Sequence, residues 1–298
     1  MYSKRSWSLI MLILAIFLIA PSIADQASEK MKIVSTTSVL MDPATFIGGE
    51  RVEAITIADP TLCPHLQADI IPNRIQLNMA FIRNADVFMA YNDNNDKNFN
   101  MPAVDKFMAA NDFGAVEWKK VSDPSRGWNT PTTAKLLAAE VLGWLIEEDP
   151  AGEAYYQGRY DEYLMTFNAV EPTEEERSRL QETKVIVMLW QREPVENWLG
   201  MEVVNFFAPE FAMGGTKTAD KIVDDIIASP EKYQDVAYVI ENMQSGELAK
   251  GIEEALRDRG INAERIIFTN FPRSVSGVNT IAEVLDYNKN LVLSTTRQ

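Results

Sequence analysis

Residues 149–182, DPAGEAYYQGRYDEYLMTFNAVEPTEEERSRLQE, decide how the chain is organised. Tyr156, Tyr160, Tyr163, Leu164 and Phe167 recur at helical spacing, charge is dense around them, and Thr173-x-x-Glu176 has the form of a capping box. The spacing predicts one long helix over 149–182, kinked at Pro172, where a missing N–H interrupts the ladder. On both sides the pattern changes to short β-rich runs alternating with longer amphipathic ones, which argues for βα units and mostly parallel sheets. Upstream, strands are expected at 32–35, 52–57, 86–91 and 115–121, with helical stretches such as 73–84 between them. Downstream, strands are expected at 184–189, 202–206, 236–240 and 265–268, separated by helices near 218–228, 246–259 and 278–289. The expected fold is therefore α/β: a βα lobe over 25–148, the spanning helix over 149–182, and a second βα lobe over 183–298.

The first residues read differently. Lys4 and Arg5 precede an apolar run of twelve residues, Leu9 to Ala20, and Pro21 then leads into Ser22-Ile23-Ala24, a small-x-small pattern before Asp25. Twelve apolar residues fall short of the roughly 20 that cross a bilayer, so residues 1–24 read as a cleaved signal peptide and the mature chain as a soluble protein, periplasmic or extracellular. With 28 Lys and Arg against 43 Asp and Glu, the net charge of −15 repels phosphate backbones and argues against nucleic-acid binding. One cysteine, Cys63, and one histidine, His65, exclude an intramolecular disulfide, CxxC sites, HExxH and His-rich metal sites. The 13 Met residues are scattered, which argues against a clustered copper motif.

In open α/β sheets ligands bind beyond the carboxyl ends of the strands. Four loops qualify: 59–65 with Cys63 and His65, 123–129 with Ser125, Arg126 and Trp128, 190–192 with Trp190, Gln191 and Arg192, and 241–243 with Glu241. If the lobes face one another, these loops converge on one cleft.

Lys32 to Ser38, Pro64-His65 through Pro72, Ala85 to Tyr91 and Asp149-Pro150 through Tyr156 resemble segments of one family, the exported solute-binding proteins of zinc and manganese ABC importers. The resemblance runs through nearly all of residues 31–290. It implies two βα lobes bridged by a long helix, a metal held between the lobes by imidazoles and carboxylates, and a membrane ABC permease as partner. His65 matches the first ligand and Glu241 the carboxylate that follows a C-lobe strand, so these two are the expected metal ligands. The second imidazole belongs in an Asp-Pro-His-x-Trp setting, but here Ser125 stands at the ligand place, with an extra residue before Trp128. Where the third belongs, the chain has Trp190 and Gln191, and the family's His-rich loop is absent. Indole offers no lone pair and an amide oxygen is a weak donor, so a zinc site of ordinary strength is not expected.

The expected function is capture of a ligand between two lobes for import, by a monomer and without catalysis. Two ligand classes stay open. One is a bare divalent transition metal held by His65, Glu241 and nearby oxygens. The other is a metal chelate or organic anion held by Trp128 and Trp190 with Gln191, Arg126 and Arg192. No cofactor is firmly indicated. Cys63 reads as a buried small residue more readily than as a ligand. An exported enzyme fits less well, because the lone histidine has no nucleophile motif around it and GxSxG is missing. A structural protein that kept the fold and lost the ligand is a third class. N-terminal sequencing of the exported fraction is expected to recover Asp25 as the first residue; recovery of Met1 on membrane-bound material would exclude cleavage.

Overall fold

The computed structural model describes residues 29–295, and the expected signal peptide lies outside them. In the first lobe, β1 (Met31–Ser35), α1 (Ser38–Gly48) and β2 (Val52–Thr56) lead to the short helices α2 (Ile71–Leu77) and α3 (Met79–Ile82). β3 (Val87–Ala90), α4 (Met101–Ala110) and β4 (Trp118–Lys120) complete its sheet. Three helices follow: α5 (Pro131–Glu148), α6 (Glu153–Val170) and α7 (Glu174–Gln181). The second lobe runs β5 (Lys184–Met188), β6 (Glu202–Phe207), α8 (Ala219–Ala228), β7 (Val236–Asn242), α9 (Lys250–Asp258), β8 (Glu264–Phe268) and α10 (Ile281–Ser294). Every strand pairing is parallel, with order β2-β1-β3-β4 in one sheet and β6-β5-β7-β8 in the other. The two-lobed α/β architecture and the parallel sheets expected from the sequence are therefore present.

The stretch 149–182 departs from its expected form. It is not one helix: Pro172 removes a donor and holds Glu171 extended at ψ 135°, so α6 ends at Val170. Thr173 then starts α7 afresh, its hydroxyl accepting from the Glu176 N–H while the Glu176 carboxylate accepts from the Thr173 N–H. The bridging element is thus α6, 18 residues and about 27 Å long. The expected helix over 73–84 is likewise divided at Asn78 into α2 and α3.

α6 mixes aromatic and charged side chains, and it buries Tyr156, Tyr163, Phe167 and Val170 along one face. These join a single apolar cluster that includes Ile33, Val39 and Leu137 from the first lobe and Val185, Ile240 and Leu285 from the second. Separate clusters cover the outer face of each sheet. The two lobes therefore share one core.

Within it lies a carboxyl group. Asp42, on α1, accepts the Tyr163 hydroxyl of α6 at 2.6 Å and the Ile281 N–H, at the start of α10, at 2.7 Å. One buried side chain thereby joins the first lobe, the bridge and the last helix of the second lobe. Lys289 adds a second tie between α10 and α6, donating to the Val170 carbonyl at 3.1 Å, where a cation suits the negative end of a helix.

Burial pushes Asp42 up to about 7 from 3.8, against the two hydrogen bonds that favour its anion. Because the folded state holds this proton more tightly than the unfolded chain, the contribution to stability is full below about pH 4. It is lost as pH rises to about 7, by at most about 4 kcal/mol. Urea unfolding of the native chain and of Asp42→Asn across pH 4 to 8 is expected to show the native chain losing stability relative to the variant; parallel profiles would contradict the assignment. Tyr163→Phe is expected to cost about 1–3 kcal/mol at any pH in that range.

Candidate functional site

In both sheets the strand order reverses beside the first strand, between β1 and β3 in one lobe and between β5 and β7 in the other. Ligand crevices form at the carboxyl ends of strands at such points. A cavity of about 460 Å³ lies there, walled by loops of both lobes. Its volume falls within the ordinary range of small-molecule sites.

From the first lobe come Cys63 and His65 in the turn after β2, Tyr91 and Asp93 after β3, and Ser125, Trp128 and Asn129 after β4. The β3 loop is held by Asp96, which is buried and accepts from the Thr36 hydroxyl and the Asn92 N–H, both at 2.8 Å. The Asp93 carboxylate accepts in turn from the Asp96 N–H at 2.9 Å. From the second lobe come Trp190 and Glu193 after β5, Asn242 and Gln244 at the end of β7, and Asn270 and Phe271 after β8.

The lobes are bonded to one another around the cavity. Trp128 Nε1 donates to the Asn270 carbonyl at 2.8 Å, Asn129 Nδ2 to the Trp190 carbonyl at 2.9 Å, and Gln244 Nε2 to the Pro60 carbonyl at 3.0 Å. The His65 ring lies against Trp190, centroids 5.6 Å apart and 24° from parallel, and 4.7 Å from the Phe211 ring. Gly127, the extra residue before Trp128, has φ +76°, a conformation open to glycine. A Cβ there would come within 3.3 Å of both Asn129 Oδ1 and Glu193 Oε2.

Burial pushes the His65 imidazole below its usual range, although the nearby Asp93 charge opposes this, and pushes the Cys63 thiol up. Cys63 Sγ stands 3.6 Å from His65 Nδ1, so these two neutral groups are partners. Burial also raises the Glu193 carboxyl.

Of the seven residues singled out in the sequence, His65, Trp128 and Trp190 line the cavity. Glu241 does not. It lies inside β7, which runs two residues past its expected end, and adjacent strand residues point to opposite faces, so Asn242 takes the wall instead. Glu241 is fully buried, accepts the Ala249 N–H at 2.8 Å and stands 3.2 Å from the Arg265 guanidinium. Burial raises its carboxyl, with the Ala249 N–H and Arg265 opposing.

Gln191 turns to Asn270, to whose side-chain oxygen it donates. Arg126 pairs with Glu140 at 3.4 Å, and Arg192 with Glu196 at 2.8 Å while lying over the Phe206 ring. Neither arginine lines the cavity, because each has a carboxylate on its own surface. The organic-anion reading thereby loses the cations on which it depended.

The sequence reading missed Asp93, Glu193, Asn129 and Phe271. The strand-end rule that selected four loops applies equally to the loops after β3 and β8, which hold Asp93 and Phe271. Glu193 follows Arg192 by one residue, and Asn129 follows Trp128.

The donor set does not suit a bare ion. Among the described residues no three His, Cys, Asp or Glu lie close enough together to hold a metal. Ser125, at the place of the second imidazole, does line the cleft, but its hydroxyl donates to Asp123 at 2.5 Å.

Several solved structures share this fold. A crystal structure of ZnuA superposes with TM-score 0.61 over 88% of this chain and 99% of its own, at 17% identity. The periplasmic zinc binding protein TroA from Treponema pallidum gives 0.63 over 89% and 98%, at 14% identity. A Mn-bound periplasmic metal binding protein from Candidatus Liberibacter asiaticus gives 0.61 over 89% and 99%, at 12% identity. Identities this low establish the fold alone. No curated protein matches the sequence. The family model for the periplasmic zinc-uptake complex component A, ZnuA, matches residues 33–289, most of the chain, and the chain belongs to that family.

Proposed function

We propose that this chain captures a divalent transition metal in the cleft between its lobes and delivers it, as a monomer, to the membrane ABC permease of its importer. The reading rests on membership of a family of periplasmic solute-binding proteins and on one observation. Among the described residues the cleft wall carries His65, Asp93 and Glu193 and no lysine or arginine. Such a wall attracts a cation and repels an anion. His65 contributes a neutral imidazole, and Asp93 and Glu193 contribute a balancing negative charge.

Export with cleavage of residues 1–24 fits the same reading, and among the described residues no helix is long and apolar enough to cross a membrane. The mechanism is binding. No nucleophile paired with a base is needed for it.

Competition against a chromogenic chelator is expected to give zinc affinity weaker than nanomolar for the purified mature chain, since only one imidazole is available. His65→Ala should weaken retention at least tenfold, and Asp93→Asn or Glu193→Gln severalfold. Arg126→Ala and Arg192→Ala should change nothing. Zinc retention indifferent to His65, Asp93 and Glu193 would remove the proposed site.

A further inference from the structure

We propose that the cleft takes its metal as a small cationic complex, the ion already carrying an amine-bearing chelator. This rests on the metal-capture reading and names the form in which the cargo arrives.

Size and donors argue together. The cavity of about 460 Å³ greatly exceeds the inner shell of one ion, whose donors sit about 2 Å from the metal. No trio of His, Cys, Asp or Glu among the described residues converges on any point. A bare ion in this space would keep most of its water. A chelator that fills several coordination positions and leaves one open lets His65 complete the shell from the protein.

The wall also holds hydrogen-bond acceptors without donors. Asn129, from the first lobe, spends its amide nitrogen on the Trp190 carbonyl, and Asn242, from the second, spends its own on Met188 Sδ at 3.0 Å. The side-chain oxygen of each is buried and has no partner. Buried acceptors are rarely left so, and these two belong to the cavity wall on opposite lobes. Asp93 and Glu193 give the lining a negative charge, which a cationic amine chelate of a divalent metal matches.

Trp128 and Trp190, again one from each lobe, add ring faces on which a flat or cationic ligand stacks. An anionic chelate meets two carboxylates and no cation.

The test uses the full mature chain with zinc alone, L-histidine alone, zinc with equimolar L-histidine, whose 1:1 complex keeps one positive charge and open coordination positions, and zinc with excess citrate. Calorimetry gives the affinity and native mass spectrometry the composition of what is held. Histidine lowers free zinc, so a site for the bare ion must lose apparent affinity when it is added, whereas a site for the complex gains. The expected result is at least a tenfold gain with histidine, a bound mass of zinc plus histidine, and no binding with citrate. Trp190→Ala should weaken retention of the complex at least fivefold. Retention that falls in step with free zinc, with only the metal's mass on the protein, overturns this inference and leaves metal capture standing. Failure of every zinc probe to bind overturns both.

Discussion

The carboxyl group of Asp42 is the constraint on which the two-lobed arrangement depends. It sits where α1, α6 and α10 meet, and it accepts one hydrogen bond from each of the other two helices. Burying a carboxyl away from water is costly, and the elevated affinity of Asp42 for its proton is the sign of that cost. The group is kept because its two donors come from elements far apart in sequence, so the bonds form only when both lobes are correctly seated on the bridge. The apolar cluster around it runs through both lobes, so their relative position belongs to the core.

A fixed seating of the lobes sets the shape of the cleft. The loops around it come from strand ends on two sheets of the same order, and they bond to each other across the gap through Trp128, Asn129 and Gln244. The resemblance to the family implies a metal site in this place. In this chain the same loops supply one imidazole, two carboxylates and a set of aromatic rings, and that change of chemistry leaves the fold intact because loop side chains at strand ends contribute little to the core.

The sheets were legible because parallel buried strands read as short apolar runs, and Val185 to Met188 or Val87 to Ala90 admit no other reading in their context. The length of the bridging helix was less so. Tyrosines at helical spacing mark a face without saying where it stops, and the consequence of Pro172 is a break or a kink depending on what packs beside it. At the site, strand-end position pointed to His65, Trp128 and Trp190, which line the cavity. It pointed also to Glu241, which lies off the cavity because β7 continues through Asn242 and turns Glu241 to the other face. Arg126 and Arg192 were assigned to the cleft from their loops alone, and the partners that hold them elsewhere, Glu140 and Glu196, lie on helical surfaces invisible at that stage.

The bonds across the cleft carry a further implication. Trp128 donates its indole N–H to the opposite lobe, and the backbone of Trp190 receives an amide from the other side while its ring lies on His65. Separating the lobes would break both contacts and move two indoles from a packed, hydrogen-bonded setting toward water. Their emission would shift to longer wavelength whether or not a cargo was present. The molecule therefore carries two indoles whose emission would report any separation of its lobes, with no label attached.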